Sequence, residues 1–193
     1  MEEKVKQSKP KRVAVFIDGS NLYYKLRDVS LKNMTYFNYA GLAKWLALER
    51  TIVAQSYYIG VVRAKEDDMK GQLLRKSQRR LFNHLSSKKQ GFVVERGYLM
   101  KNDGVFHEKG VDVKIAVDLL VGAYEDKYDV ALLISSDTDL IPAIQKVINL
   151  GKGVEYIGFA HKPSYGLQKH VTLSRLLIRE ELLPFEAEEY QKI

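Results

Sequence analysis

Apolar and polar positions along the chain fall into runs of two kinds. Short continuous runs rich in β-branched residues mark buried strands, and longer runs with apolar residues three and four apart mark helices. Val13–Ile17 is of the first kind and stops at the polar turn Asp18-Gly19-Ser20-Asn21. Leu22–Arg27 then reads as a helix, and Tyr39–Arg50 as a second, with Leu42, Trp45 and Leu46 on one face. Ile52–Val62 is strand-like around Tyr57-Tyr58-Ile59. Glu66–Lys88 predicts a long helix whose acidic start, Glu66-Asp67-Asp68, suits the helix dipole. Phe92–Leu99 reads as a strand, Asn102-Asp103-Gly104 as a turn, and Val105-Phe106-His107 as a returning hairpin partner. Val111–Tyr124 is apolar on most sides, which predicts a well-buried helix. Asp129–Ser135 is the cleanest buried strand, and Asp139–Leu150 a helix that tolerates Pro142 in its first turn. Val154–Phe159 is the last clear strand, Ser164 is placed to cap a short helix through His170, and Leu176–Phe185 has no decisive pattern.

Strands that alternate with helices imply a mostly parallel central sheet with helices on both faces, an α/β three-layer sandwich of the Rossmann-like kind. The sequence carries no internal repeat, low-complexity tract or long linker. The expected organisation is a charged tail at residues 1–12, one domain over 13–162, and a C-terminal extension, 163–193, packed on the same domain.

In such sheets ligands bind outside the carboxyl ends of the strands. Two apolar strands end there in acid: the first at Asp18, and a later one at Ser135-Ser136-Asp137-Thr138-Asp139. Between them, Lys109-Gly110-Val111-Asp112 opens the apolar helix and places Asp112 in its first turn. Each acid has a plain structural use, as a helix cap or a dipole complement. Capping needs one Asp per helix start, however, and Asp137-Thr138-Asp139 supplies two. Two carboxylates about 4 Å apart repel by roughly 4 kcal/mol at an effective dielectric near 20, so a cluster calls for a cation or a shared proton. Oxygen donors without His or Cys favour Mg²⁺ or Mn²⁺. The histidines, His84, His107, His161 and His170, have no zinc-ligand spacing. Asp118 lies six residues after Asp112, about 240° round an ideal helix, and is expected only to support the site or to sit outside it. Asn21 would hold a carboxylate or a phosphate through its amide, and Ser135 and Ser136 would add hydrogen bonds.

Composition narrows the partner. Lys and Arg number 31 against 24 Asp and Glu, a formal charge of +7, which favours a polyanion. The chain has no cysteine, which excludes disulfides and thiolate metal sites and fits a reducing, cytoplasmic setting. No run approaches the roughly 18 apolar residues of a membrane span, and residues 1–12 have no apolar core of a secretory signal. Arg75/Arg79 and Lys76/Arg80 are i,i+4 pairs on the long helix, without acidic partners after Asp68, and a phosphate backbone would relieve their mutual repulsion. Tyr23, Tyr24, Tyr57 and Tyr58 would offer stacking platforms for unpaired bases, with Tyr23 and Tyr24, just past the Asp18 turn, the best placed.

Phe16-Ile17-Asp18-Gly19-Ser20-Asn21, Lys109-Gly110-Val111-Asp112 with Asp118, and Ser135-Ser136-Asp137-Thr138-Asp139 resemble, in order, the motifs of NYN domains, and among these the LabA-like branch. The resemblance runs from about Val13 to Phe159 and departs from the family pattern at none of these positions; the tail after Lys162 matches less clearly. NYN domains belong to the PIN-like nucleases, which use clustered acids to bind Mg²⁺ or Mn²⁺ and cut RNA. The resemblance thus implies a PIN-like fold and an endoribonuclease. Asp18, Asp112, Asp137 and Asp139 would be its metal-site acids and Asn21 their orienting residue. Two alternatives stand beside it. One is a non-catalytic nucleic-acid-binding or regulatory module with the same fold. The other is a Mg²⁺-dependent phosphatase of the haloacid dehalogenase type, which would want an acid where the chain has Ser20. A homodimer through an edge strand or Leu176–Phe185 is compatible with the sequence but not required by it.

Overall fold

A computed structural model describes residues 9–64, 67–102 and 105–187, without the side chains of 100–102 and 105–108. Of the expected features, most of the charged tail (1–8), Lys65 and Glu66, the Asp103-Gly104 turn and residues 188–193 lie outside the described residues.

The strands are β1 (Arg12–Asp18), β2 (Thr51–Val61), β3 (Val93–Asn102), β4 (Val105–Lys109), β5 (Val130–Ile134), β6 (Gly153–Phe159) and β7 (Leu173–Leu177). They form one sheet in the order β4-β3-β2-β1-β5-β6-β7. Six strands run parallel, and β4 alone returns antiparallel, against β3. The helices are α1 (Gly19–Asp28), α2 (Tyr39–Ala47), α3 (Met69–Leu85), α4 (Val111–Tyr124), α5 (Ile141–Asn149), α6 (Tyr165–Gln168) and α7 (Arg179–Leu182). Among the described residues none of them is long and apolar enough to cross a membrane.

The continuous apolar runs of the central strands are explained by helices on both faces. Val13, Val15 and Ile17 of β1 point into a first core with Val130, Leu132 and Ile134 of β5, under α1, α2, the end of α3, and α7. Ala14 and Phe16 point the other way, with Ala131 and Leu133, into a second core under α4, α5 and α6. Phe16 stacks on Tyr58 at 6.3 Å and meets Tyr128 edge-on at 5.9 Å in that second core.

Several boundaries differ from expectation for local reasons. Helix α3 begins at Met69 because Asp68 caps it, its carboxylate accepting from the Gly71 N–H at 2.9 Å. The segment Thr138–Leu140 is a 3-10 turn, and the regular helix starts only at Ile141 with Pro142 in its first turn. Part of the undecided segment Leu176–Phe185 completes β7, which extends the sheet beside β6. The prediction of a well-buried α4 holds for one side alone. Val111, Ile115, Leu119 and Ala123 enter the second core, whereas Val113, Val117, Val121 and Tyr124 form an exposed stripe on the outer face. A helix in an outer layer buries the stripe that meets the sheet, and apolar composition does not add a further layer above it.

Candidate active site at the carboxyl edge

The chain leaves β1 for β2 on one side, and β5 joins β1 on the other. The carboxyl ends of β1 and β5 therefore flank the point where the winding reverses, the general place for a ligand in an open α/β sheet. Both acidic turns of the sequence are there. The register Phe16↔Leu133 and Ile17↔Ile134 brings Asp18 and Ser135 side by side at the next step.

Asp18 is only 6% exposed and caps α1. Its Oδ1 accepts from the Asn21 N–H at 3.0 Å, and its Oδ2 accepts from the Ser135 hydroxyl at 3.0 Å. The same Ser135 oxygen accepts from the Asp137 N–H at 3.1 Å. One buried hydroxyl thus ties the end of β1 to the turn after β5. Asp137 in turn caps the 3-10 turn, accepting from the Asp139 N–H at 2.9 Å. Gly19 makes the arrangement sterically feasible: a Cβ there would stand 2.2 Å from Tyr57 Cε1 and 2.8 Å from the Tyr58 carbonyl oxygen. The glycine lets α1 start flush against β2, with the Tyr57 hydroxyl donating to its carbonyl at 3.3 Å.

Asp112 lies in the first turn of α4, on the same side of the sheet as the β1 and β5 residues that enter the second core. Its neighbour Val111 packs where Gly97 of β3 has no side chain, one strand beyond Gly60 of β2. Asp118 is a turn and a half further along α4. Its Oδ2 accepts from the Tyr58 hydroxyl at 3.0 Å, and Lys114 stands 3.5 Å from it and 3.2 Å from Glu95. Asp18, Tyr58 and Glu95 are successive partners across β1, β2 and β3, so this network forms a row that begins at the site. Burial, reinforced by the Asp118 charge, raises the Tyr58 hydroxyl far above its ordinary pKa, and the hydrogen bond to Glu95 raises the Lys114 ammonium. The network that joins Tyr58, Glu95 and Lys114 to Asp118 was not legible in the sequence, because only strand register and helix packing assemble it; Tyr58, expected as a stacking platform, is buried in it instead, and Tyr57 is buried too.

The four acids are thus divided. Asp18 and the Asp137 turn are joined through Ser135, Asp139 follows, itself exposed, in the 3-10 turn, and Asp112 comes from another helix. Among the described residues no three His, Cys, Asp or Glu side chains form a group of metal-site size. The gathering of all four into one shell, expected from the motifs, is not seen in this arrangement, in which Asp18 and Asp137 serve as caps. The donor chemistry still suits a hard divalent cation, being oxygen throughout. Each carboxylate oxygen carries two lone pairs, so accepting one hydrogen bond is compatible with ligating an ion.

The proposed nucleic-acid residues lie on the other side of the Asp18 turn. A cavity of about 430 Å³ opens between α1 and α3 over the end of β2, with Gly19, Ser20, Tyr23 and Tyr24 on one wall. Leu74, Ser77, Gln78 and Leu81 form the α3 wall, a single i, i+3, i+4, i+7 stripe. Arg75, Lys76, Arg79 and Arg80 occupy the outer half of that helix, about 100–240° round from Leu74, and all four are exposed. They face solvent rather than the cavity, in keeping with a helix whose apolar side carries Leu74 and Leu81.

Comparison with known proteins completes the description. A protein of unknown function from Vibrio parahaemolyticus has a similar fold at 20% identity, with a TM-score of 0.60 over 89% of this chain and 96% of that one. A Parabacteroides merdae protein, at 11% identity over 86% of this chain and 32% of its own, has a TM-score of 0.34, too low for argument. A comparison with curated proteins gives no match. The family profile described as the NYN domain matches residues 12–173.

Proposed function

This chain belongs to the NYN domain family, and from that premise we propose that it is a divalent-metal-dependent endoribonuclease of the LabA-like branch, acting at the reversal point between β1 and β5. The observation that carries the reading is the Ser135 hydroxyl, which joins the Asp18 carboxylate to the Asp137 turn across 117 residues of sequence. Capping α1 needs only the Asn21 N–H; the second bond fixes the carboxylate relative to the neighbouring acidic turn.

Asp18, Asp112, Asp137 and Asp139 are the residues that would hold Mg²⁺ or Mn²⁺. When bound, such an ion supplies Lewis-acid polarisation of a phosphodiester oxygen and activation of water. The chain's own residues do the positioning. Ser135 and the Asn21 N–H fix the orientation of Asp18, and on this reading the Asn21 amide would hold a carboxylate or phosphate. The basic outer face of α3 provides a track for phosphates. The partner on this reading is RNA, met in the cytoplasm.

The test is a cleavage assay on single-stranded RNA, structured RNA and DNA, with Mn²⁺ or Mg²⁺ and with chelator. Metal-dependent cleavage that disappears in Asp18→Asn and Asp137→Asn, at unchanged circular dichroism, is the expected result. Full activity in either variant overturns the assignment. Binding of RNA with no cleavage by the unmodified protein would instead identify a non-catalytic module on the same fold.

A further inference from the structure

The lining of the cavity between α1 and α3 does not follow from a cluster of acids. Its floor is aromatic: Tyr39 and Tyr57, both buried, meet edge to face at 5.4 Å. Its outer wall carries Tyr23 and Tyr24, 44% and 53% exposed, packed edge to face at 5.5 Å. A volume of about 430 Å³ is in the range of small-ligand sites, roughly 300–1,000 Å³. Gln78 is committed to the backbone: it donates to the Gly60 carbonyl and accepts from the Val62 N–H. The hydroxyls of Ser20 and Ser77, on opposite walls, form no hydrogen bond among the described residues.

The rim of this apolar slot is cationic. The Arg27 guanidinium lies 4.8 Å over the Tyr24 ring. Arg63 follows directly on Val62, which lines the cavity, and is exposed. Lys70, also exposed, is one turn before Leu74 and continues the stripe that faces the cavity. An aromatic slot with a positive rim matches a flat, uncharged ring borne on a polyanionic backbone. The slot also abuts Asp18, because Gly19 and Ser20 form its wall.

We propose that the α1–α3 cavity is a subsite for one unpaired nucleobase, which makes single-strandedness a requirement of the substrate. The inference builds on the nuclease reading for the identity of the polymer, but base capture is a separate property. A ring recessed between two helices must leave its stack and its pairing partner, so a duplex cannot fill the slot. Tyr23 and Tyr24 stack against the base, Ser20 and Ser77 reach its edges, and Arg27, Arg63 and Lys70 meet the flanking phosphates.

The experiment measures binding in chelator, so that cleavage cannot contribute. The probes are a fluorescent single-stranded RNA, an abasic strand of the same length, and a blunt RNA duplex. The base-bearing single strand is expected to bind at least roughly tenfold more tightly than either of the others, the scale of one stacked base. Ser77→Trp, at an exposed position of α3, should fill the slot and reduce the single strand to the abasic level. Tyr24→Ala should do so in part, with the circular dichroism of both variants unchanged. Equal binding of abasic and base-bearing strands, duplex binding as tight as single-strand binding, or wild-type affinity in Ser77→Trp overturns the proposal. Base-dependent binding by a protein that cuts nothing would leave this inference standing and remove the nuclease reading. Cutting that proceeds equally on base-bearing and abasic strands would do the reverse.

Discussion

Strands β1 and β5 are fastened at both ends, and the two fastenings use different chemistry. At the amino ends, Asp129 accepts from the Arg12 backbone N–H at 2.7 Å and from its guanidinium at 2.8 Å, while the Asp129 N–H donates to the Arg12 carbonyl at 2.9 Å. Asp126 joins the same guanidinium, with Lys152 beside it. At the carboxyl ends, Asp18 is more deeply buried, and the bonds described above come from a hydroxyl and a backbone N–H. The first fastening offsets a carboxylate with a full opposite charge. The second orients a carboxylate through a hydroxyl and a backbone N–H, and the hydroxyl links it to the neighbouring turn. One edge of the sheet thus holds the strands together by charge pairing, and the other fixes the direction of an acid.

That contrast is sharpest if the two carboxylates are exchanged for amides. Asp18→Asn should reduce metal-dependent cleavage to background with a melting temperature close to wild type, whereas Asp129→Asn should lower the melting temperature and keep the cleavage. The opposite pattern would dissolve the distinction. Ser135→Ala comes next. It frees the Asp18 carboxylate from its link to the Asp137 turn, and cleavage should fall by about 10–100-fold, the usual effect of losing an outer-shell partner of a metal ligand. Stability should drop by only about 1 kcal/mol for the lost hydrogen bond.

A smaller effect concerns acid. Hydrogen bonds from the Arg12 side chain and backbone, aided by its charge, lower the Asp129 carboxyl from its ordinary 3.8 to about 2. A depressed carboxylate contributes stability that is complete above the unfolded value. It is lost as pH falls from about 4 through about 2. Arg12→Ala should therefore move the acid-unfolding midpoint to higher pH, while Asp18→Asn leaves this step of the titration unchanged. Circular dichroism against pH between about 5 and 2 distinguishes them. The smallest change expected in stability is from Arg75→Glu with Arg79→Glu, both exposed. Here the readout is the dependence of RNA affinity on salt, whose slope should flatten as phosphate contacts are lost. An unchanged slope would place the backbone elsewhere.

The sequence made some of this plain and hid the rest for physical reasons. Val13–Ile17 and Asp129–Ser135 were legible as central strands because both of their faces are apolar, a demand that only a doubly covered sheet makes. The Asp18 and Asp137 turns were legible as strand ends for the same reason. Strand β7 was not, since Leu173–Leu177 is an edge strand with one buried residue and little pattern to read. The outer stripe of α4 was misjudged because composition around a helix does not reveal how many layers lie above it. The bond from Ser135 to Asp18 depends on a register between strands far apart in sequence. The α1–α3 cavity was invisible altogether, being assembled from α1, α2, β2, α3 and β3, each of which contributes residues that also look like ordinary core.

The same register has a consequence for how the molecule is made. Among the seven described strands β1 is synthesised first, and it sits in the middle of the sheet, between β2, which follows soon, and β5, which comes after more than a hundred further residues. Contacts of such separation close slowly, because the intervening chain must first be ordered. A growing chain can pair β1 with β2 and bury one edge early, but Asp18 has no Ser135 to meet until β5 arrives. The link between Asp18 and the Asp137 turn is thus a late product of folding, made only when β5 closes against β1.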